Sequence, residues 1–392
     1  MEIDLLLQKD IQDFITAHLE ADCSKLALQK NPFPSCSWLH IIQQIQSKQK
    51  CKSKLPTWYA TPNLIYPVKL SVEQSSSEIT AAYKASLVQG NTLIDLTGGM
   101  GVDGYYFSQK VNQLTHCELS SELSASVQHN FGEFGISNVN FVVGDSLTYL
   151  QNANQQFDWI YIDPSRRNDV KGKVFLLDDC LPNVPQALEL LFAHCPNILV
   201  KTAPLLDLNS GIQTLQFVKE IHIVAVENEV KELLWLLDQS AKAPIRLRCM
   251  HFSKHGNEQV DFEWNAQVDC SYSMPLDYVY EPNSAIMKSG QFQAVAHQFG
   301  VEKLHEHSHL YTHNKLIRFP GRVFKIDACV PYNKEGMKQL ALNQANISTR
   351  NFPDAVESIR KKWKIKDGGE LYCFFTTNKH NQKIVLLCSK LK

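Results

Sequence analysis

Residues 93–107 read LIDLTGGMGVDGYYF, and this stretch decides the fold class of the chain. An apolar strand is predicted to end at Asp95, followed by a glycine-rich turn and then a helix. In such a turn the backbone N–H groups and the helix N-terminus face a ligand without intervening side chains. The spacing of Gly99, Gly101 and Gly104 satisfies the G-x-G-x-x-G pattern of dinucleotide sites, but a chance glycine cluster would satisfy it as well. The turn therefore predicts a nucleotide-like ligand and leaves its identity open.

Carboxylates stand at the ends of three successive predicted strands, and together they favour one class of cofactor. Asp95 ends the first strand, where it would repel a pyrophosphate but attract an ammonium or sulfonium group. Glu118 ends the second strand and is placed for hydrogen bonds to two ribose hydroxyls. Asp145, followed by Ser146, comes after the third strand, where a carboxylate can accept a hydrogen bond from an adenine amino group. Each acid alone is more often a helix cap or a turn residue, but the set favours S-adenosylmethionine over NAD.

From about Thr92 onward, short apolar strands alternate with helical segments. The predicted strands are 92–97, 114–119, 140–144, 158–163, 197–202, 222–227 and 245–252. Strands that alternate with helices predict βαβ units and an α/β fold with a doubly wound, Rossmann-like sheet. The ligands of such folds bind beyond the carboxyl ends of the strands. Residues 1–85, by contrast, show helical periodicity interrupted by prolines, which predicts an N-terminal helical region.

These features resemble the class I S-adenosylmethionine-dependent methyltransferases. The resemblance covers about residues 86–255 and is carried by DLTGGMG at 95–101, Glu118, Gly-Asp at 144–145 and Asp-Pro at 163–164. It implies that the cofactor is bound by the three acids and by the turn residues Thr97, Gly98, Gly99 and Gly101. Thr97 stands where the usual D-x-G-x-G-x-G motif has its first glycine, a departure that either tightens the turn or adds a hydroxyl group.

The sequence DPSRR follows the fourth strand, where class I enzymes hold the accepting atom. It is similar to the [DN]-P-P-[FYW] motif of enzymes that methylate exocyclic amino groups of bases. Asp163 and Pro164 match this motif, but a serine and Arg166 replace the second proline and the aromatic ring. The resemblance implies that Asp163 positions the acceptor and takes its proton. Arg166 and Arg167 are predicted to hold a phosphate beside the target nucleoside, with structural salt bridges as the alternative. Lys201 ends the fifth strand and is either a residue at the edge of this site or a solvated lysine.

The net charge of −1 conceals an uneven distribution. Residues 1–313 hold 23 Lys and Arg against 34 Asp and Glu, whereas residues 314–392 hold 16 against 6. A basic module on an acidic body is expected where a protein meets a polyanion, although a solvated basic face is the alternative. The densest cations surround a tryptophan and predict phosphate contacts with base stacking: Arg360, Lys361, Lys362, Trp363, Lys364 and Lys366. Cations at a helix C-terminus also stabilise the helix dipole, so part of this cluster has a structural explanation.

The chain also resembles a bacterial methyltransferase family in which a ferredoxin-like segment and a THUMP-like domain follow the class I domain. The motifs that carry this resemblance are DPSRR at 163–167, VKTAPLLDL at 200–208, YEPNSAIMKSG at 280–290 and STRNFP at 348–353. The predicted domains are an N-terminal helical region, a methyltransferase domain, a ferredoxin-like segment and a basic THUMP-like domain, at 1–85, 86–272, 273–315 and 316–392. THUMP domains bind RNA in tRNA-modifying enzymes, so the resemblance implies an RNA partner.

Composition and spacing exclude several other classes of protein. A hydrophobic fraction of 44% and a charged fraction of 20% exclude a mainly disordered chain and a coiled-coil rod. The apolar runs are shorter than the roughly 18 to 20 residues that span a bilayer. The eleven cysteines include no C-x-x-C pair and fit reduced thiols in a cytoplasm. His305, His307 and His309 are predicted to share one face of an exposed strand, with no metal expected there.

The leading hypothesis is a cytoplasmic S-adenosylmethionine-dependent methyltransferase that modifies a nucleotide of structured RNA, either tRNA or rRNA. Two alternatives stay open. One is methylation of a protein or a small anionic metabolite, with Arg166 and Arg167 holding a carboxylate. The other is a non-catalytic RNA-binding protein that retains the cofactor fold.

Overall fold

The computed structural model describes residues 3–166, 177–242 and 244–391. The chain divides into two compact units. The first comprises Met1–Lys219 and Leu234–Lys242, and the second comprises Glu220–Leu233 and Ala243–Lys392. Within the described residues, no helix has the length and apolar character needed to cross a membrane.

The first unit begins with helices, as the helical periodicity of residues 1–85 predicts. They are α1 (Ile3–Leu6), α2 (Lys9–Ala17), α3 (Cys23–Leu26), α4 (Trp38–Lys54), α5 (Pro56–Ala60), α6 (Lys69–Gln74) and α7 (Glu78–Ser86). The longest of them, α4, buries Ile41 and Ile45 against Ile11 and Ile15 of α2. Such short helices are stabilised mainly by the apolar surface they bury, because few of them are long enough to persist alone.

A parallel sheet follows these helices and confirms the predicted α/β class. Its strands are β1 (Thr92–Asp95), β2 (Gln113–Glu118), β3 (Val139–Val143), β4 (Trp159–Ile162) and, later in the chain, β7 (Asn197–Thr202). Between β4 and β7 in sequence, β5 (Ser165–Arg166) and β6 (Cys180–Leu181) form a separate antiparallel pair. The parallel strands are ordered β7-β4-β1-β2-β3. They alternate with α8 (Val102–Ser108), α9 (Ser121–Glu133), α10 (Ser146–Asn152), a 3-10 helix (Leu177–Asp179), α11 (Val184–His194) and α12 (Leu208–Thr214). The strand order reverses between β1 and β4, which is where ligands of doubly wound sheets bind.

Four further strands complete this part of the chain: β8 (Val218–Val226), β9 (Glu229–Asp238), β10 (Arg246–Ser253) and β11 (Gly256–Glu263). In the second unit, β10 pairs in parallel with β8 and antiparallel with β11. The sequence predicts β8 and β10 but misses β9 and β11. The apolar run in β9 does not alternate, so its period resembles neither a half-buried strand nor a helix. The turn before it holds Glu227 at φ 48° and Asn228 at φ 62°, and glutamate is an uncommon residue for a left-handed conformation.

The second unit continues with a seven-stranded sheet ordered β13-β14-β12-β15-β18-β17-β16. Its elements are β12 (Tyr278–Pro282), α13 (Ser284–Ser289), α14 (Phe292–Phe299), β13 (Glu302–Lys303), β14 (Tyr311–His313), β15 (Gly321–Pro331), α15 (Lys334–Leu340), β16 (Asn346–Arg350), α16 (Val356–Trp363), β17 (Leu371–Thr377) and β18 (Lys383–Lys390). The apolar periodicity of residues 322–389 predicts a small α+β domain with the order strand, helix, strand, helix, strand, strand, and the structure has that order from β15 onward.

An ion-pair triad joins two of the sequence motifs within this unit. Glu281, from YEPNSAIMKSG, is buried with 2% exposure. One of its carboxylate oxygens accepts a hydrogen bond from Arg322 Nε at 2.6 Å. The other accepts from Nη2 of Arg350, from STRNFP, at 2.7 Å. A buried carboxylate needs such partners, so the two motifs have a structural reason to occur together.

The prediction of a strand through the histidines at 305–309 is wrong. These residues form a turn between β13 and β14, and His309 adopts a left-handed conformation with φ 52°. The His309 ring stacks on Phe292 with 3.5 Å between ring centroids. His305 Nε2 contacts Asn381 Oδ1 at 2.9 Å. Contacts with residues distant in sequence thus hold these histidines in a turn, although their alternation in sequence predicts a strand. The described residues include no group of three or more His, Cys, Asp or Glu that could hold a metal ion.

Candidate active site

The glycine turn lies at the carboxyl end of β1 and brings backbone N–H groups to the edge of the sheet. Gly98 N–H donates to the Cys117 carbonyl at 2.9 Å, which ties the turn to β2. Gly101 begins α8 in a left-handed conformation with φ 77°. A Cβ atom there would lie 2.6 Å from Val127 Cγ1, and one on Gly98 would overlap the His116 ring. Glycine is therefore required at both positions, at Gly101 by conformation as well as by space.

Asp95 presents an unpaired carboxylate oxygen beneath this turn. The side chain is 1% exposed, and its Oδ1 accepts the backbone N–H of Thr97 at 2.9 Å. Its Oδ2 is buried and has no hydrogen-bond partner in the described part of the chain. Burial, together with nearby Asp103 and Asp163, raises the pKa of Asp95 well above its ordinary value. A cationic group on Oδ2 would remove this penalty, so the site fits a ligand with an ammonium group.

Glu118 is held against the same turn by two backbone groups. Its Oε2 accepts from Gly99 N–H at 3.0 Å and its Oε1 accepts from Ser120 N–H at 2.8 Å. A carboxylate has about four lone-pair sites, so two remain for further donors. This arrangement suits the paired hydroxyls of a ribose.

Asp145 lies after β3 as the N-cap of α10, where its Oδ1 accepts from Thr148 N–H at 2.7 Å. Its hydrogen bonds to Thr148 lower the pKa of this exposed carboxyl below its ordinary value. Ser146, next in sequence, is buried. Two apolar side chains that the sequence interpretation missed lie at strand ends: Leu119, directly after β2, is 71% exposed, and Val143, the last residue of β3, is 55% exposed. Their signal is an apolar residue next to each strand-end acid or glycine, and their surfaces could cover a flat ring.

The residues predicted for the acceptor lie at the ends of β4 and β7. Asp163 N–H donates to Thr97 Oγ1 at 2.7 Å, and the Asp163 carboxylate forms an ion pair with Lys201 of β7. Pro164 is buried. The structure thus brings Asp163, Thr97 and Lys201 together. Arg167 lies outside the described residues, and only the backbone of Arg166 is described, in β5 opposite Cys180.

A buried polar cluster next to the turn was missed by the sequence interpretation. Asp103, in the first turn of α8, accepts hydrogen bonds from Tyr161 Oη at 2.8 Å and Ser76 Oγ at 2.9 Å. Lys84 Nζ of α7, fully buried, lies 3.2 Å from Asp103 Oδ1. Burial opposes ionisation of Asp103, but Lys84, Lys201 and the hydrogen bonds together hold its pKa below the ordinary value. These contacts attach α7 to the start of α8, directly after the glycine turn, and no local pattern connects residues so far apart in sequence.

His116 of β2 supports the turn from below. Its ring is fully buried, and burial lowers its pKa to about 4. The imidazole is therefore neutral at physiological pH. Its place beneath Gly98 makes it a packing group of the site.

The predicted polyanion-binding residues of the second unit divide into two groups. Arg360 donates to the Ala345 carbonyl at 3.1 Å and pairs with Asp367. Trp363 is half-buried and donates from Nε1 to Tyr332 Oη at 3.2 Å. Lys362 Nζ lies 4.9 Å from the centroid of the same tyrosine ring. Three lysines are exposed and enter no ion pair with a described residue: Lys361, Lys364 and Lys366.

Comparison with known proteins extends over the whole chain. Residues 278–320 match a family described as a ferredoxin-like domain, and residues 321–390 match one described as THUMP domain-like. The solved structure of a proposed methyltransferase from Porphyromonas gingivalis W83 is 31% identical, with a TM-score of 0.89. The match covers 100% of this chain and 99% of that one. No curated protein matches the sequence.

Two other solved structures resemble only part of the chain. A proposed methyltransferase from Escherichia coli is 16% identical over 42% of this chain and 85% of that one, with a TM-score of 0.31. A proposed methyltransferase from Streptococcus mutans, solved in complex with S-adenosylhomocysteine (SAH), is 12% identical. That match covers 41% of this chain and 96% of that one, also with a TM-score of 0.31.

Proposed function

Since the chain belongs to the family of class I methyltransferases that carry a THUMP-like domain at the C-terminus, we propose that it methylates a nucleotide of structured RNA with S-adenosylmethionine as the methyl donor. The observation that carries the choice of cofactor is the buried, unpaired Oδ2 of Asp95 beneath the glycine turn. A pyrophosphate would be repelled there, whereas the ammonium of a methionine end would be bound.

The remaining residues of the site support the same cofactor. Asp95 would bind the ammonium, the free lone pairs of Glu118 would accept from the ribose hydroxyls, and Leu119 with Val143 would cover the adenine. Asp145 would accept a hydrogen bond from the adenine amino group. When bound, S-adenosylmethionine supplies an activated methyl group that a nucleophile can take directly.

The chain's own contribution to the chemistry is to hold and orient the acceptor. Asp163 follows β4, and its side chain is 35% exposed. Lys201 pairs with its Oδ2, and its Oδ1 has no hydrogen-bond partner among the described residues. That oxygen can accept an N–H bond from an amino group of a base and so align the nitrogen, which accounts for most of what a methyltransferase must do. It can also take the proton that the nitrogen releases.

The exposed lysines of the THUMP-like domain support RNA as the polymer. Lys361, Lys364 and Lys366 extend into solvent in a segment whose net charge is strongly positive. Lysines that pair with no described carboxylate are available to phosphates, and binding of this kind weakens steeply as salt concentration rises. Arg166 and Arg167 are proposed to hold a phosphate next to the target nucleoside.

The direct test is transfer of labelled methyl from S-adenosylmethionine to total RNA from cells that lack this protein, followed by mass analysis of the nucleosides. We expect one methylated nucleoside to appear with wild-type protein and to be lost with D163A. D163A should still bind SAH, because Asp163 is not one of the proposed cofactor ligands. Label that enters protein or small molecules and not RNA would contradict the proposed substrate. Binding of NAD in place of SAH would contradict the proposed cofactor.

A further inference from the structure

The hydroxyl group of Thr97 lies between the two sides of the candidate active site. Its Oγ accepts the backbone N–H of Asp163 at 2.7 Å. It also lies 3.4 Å from Oδ1 of Asp95, the oxygen that accepts the Thr97 backbone N–H at 2.9 Å. One side chain therefore connects the residue proposed to hold the cofactor ammonium with the residue proposed to hold the acceptor.

A glycine at this position could not make the connection. The D-x-G-x-G-x-G motif places its first glycine where this chain has Thr97, and glycine lacks a hydroxyl group. Asp163 N–H has no other acceptor among the described residues, so loss of the Thr97 hydroxyl would leave this backbone donor unpaired. The threonine thus fixes the main chain after β4 relative to the end of β1.

We infer that Thr97 is a positioning residue: when the cofactor binds at Asp95, the Thr97 hydroxyl orders the main chain at Asp163, where the acceptor is proposed to bind. The inference rests on the proposed function and adds a coupling within it. Asp163 N–H, Thr97 Oγ and Asp95 Oδ1 form a short chain of polar contacts, and the members of such a chain polarise and constrain one another. An ammonium bound to Asp95 Oδ2 fixes that carboxylate, and the hydroxyl transmits the constraint to Asp163.

The test measures hydrogen exchange of the Asp163 amide with and without SAH, together with SAH affinity by calorimetry. T97V removes the hydroxyl and retains the branched shape, whereas T97S retains the hydroxyl. The chain offers a matched control at the opposite end of the same two strands, where Thr92 Oγ accepts the Asp158 N–H at 3.0 Å. T92V removes that hydroxyl acceptor, while the Asp158 N–H keeps the Thr92 carbonyl as an acceptor at 3.2 Å, and Thr92 lies at the end of β1 away from the glycine turn.

We expect SAH to slow exchange of the Asp163 amide by about tenfold or more in wild type, T97S and T92V, and by less than about twofold in T97V. T97V should bind SAH about three- to tenfold more weakly, the effect of one lost hydrogen bond. If T97V does not fold, T97A serves in its place, and a melting temperature near that of T92V shows that the variant is native.

Three results would overturn the inference in distinguishable ways. Wild type that binds no SAH contradicts the proposed function and the coupling with it. Wild type that binds SAH, with T97V equal to it in affinity and in Asp163 protection, contradicts the coupling alone. T97S that behaves like T97V shows that the hydroxyl is not the group responsible, and it contradicts the assigned role of Thr97.

Discussion

Replacing Asp95 by asparagine should separate recognition of the cofactor's amino-acid end from recognition of its adenosine. The substitution keeps the size of the side chain and an oxygen that can accept the Thr97 N–H. It removes the negative charge at Oδ2, the buried atom without a partner among the described residues. A hydrogen bond between charged groups contributes about 1.5 to 3 kcal/mol, which corresponds to a roughly 10- to 150-fold loss of affinity for SAH.

Calorimetry with two ligands distinguishes this loss from general damage. SAH carries the amino-acid end, whereas 5′-methylthioadenosine retains the adenosine and the sulfur but has no ammonium. D95N should therefore weaken the binding of SAH and leave the affinity for methylthioadenosine unchanged within about twofold. E118Q is the matched control: Glu118 is proposed to hold the ribose, so its loss should weaken both ligands. Equal weakening of the two ligands by D95N, or no weakening at all, would refute the role given to Asp95.

The D95N variant should also differ from wild type in how its thermal stability depends on pH. Burial raises the pKa of Asp95 in the folded protein above its value in the unfolded chain. For such a group, the contribution of the protonated carboxyl to the free energy of unfolding is fully present below the unfolded-state pKa of about 3.9. That contribution is lost as pH rises through the folded-state pKa. The ligand-free D95N protein should therefore unfold at a higher temperature than wild type near neutral pH, and the difference should disappear in acid. Thermal unfolding across that pH range checks the sign.

Three further perturbations test other parts of the structure. K84M leaves the buried Asp103 carboxylate without the lysine that pairs with it and should cost about 3 to 5 kcal/mol of unfolding free energy, measured by denaturant titration. A loss below about 1 kcal/mol would contradict the assigned ion pair. E281Q should cost less, about 1 to 3 kcal/mol, because Arg322 and Arg350 lose their anionic partner but are themselves about a third exposed, so solvent screens the charges that remain. Replacing the exposed lysines Lys361, Lys364 and Lys366 by glutamine should reduce the slope of log affinity for RNA against log salt concentration by about 2 to 3. The same change at three exposed lysines of the first unit, Lys9, Lys25 and Lys30, should leave the slope unchanged.

The glycine turn and its flanking strands were predictable because their signals are local. A strand, a turn and a helix follow one another in residues 93–107, and the period of apolar residues together with the glycines specifies each. The strand-end acids Asp95 and Glu118 could be placed at one edge of the sheet for the same reason, since the carboxyl ends of parallel strands meet there. The hydrogen bonds that orient them could not be inferred from the pattern.

The contacts that sequence reasoning missed all join residues far apart in the chain. Lys84 meets Asp103 across the boundary between the helical region and the sheet, and each looks like an ordinary surface charge in its own helix. Thr97 looked like a departure from a motif, and only the position of the Asp163 N–H shows what its hydroxyl does. Pairings of this kind depend on how the elements pack, which periodicity does not encode.

The basic segment from Arg360 to Lys366 places its residues in two different environments. In sequence the six residues form one cluster, and both RNA binding and stabilisation of a helix end account for it. In the structure Arg360 and Trp363 are engaged with Asp367 and Tyr332, while the three exposed lysines pair with no carboxylate in the described chain. Replacing Arg360 should therefore lower the free energy of unfolding more than it weakens RNA binding. Replacing the three lysines should change the salt dependence of RNA binding and leave the free energy of unfolding unaltered. A cluster with a single role would not separate in this way.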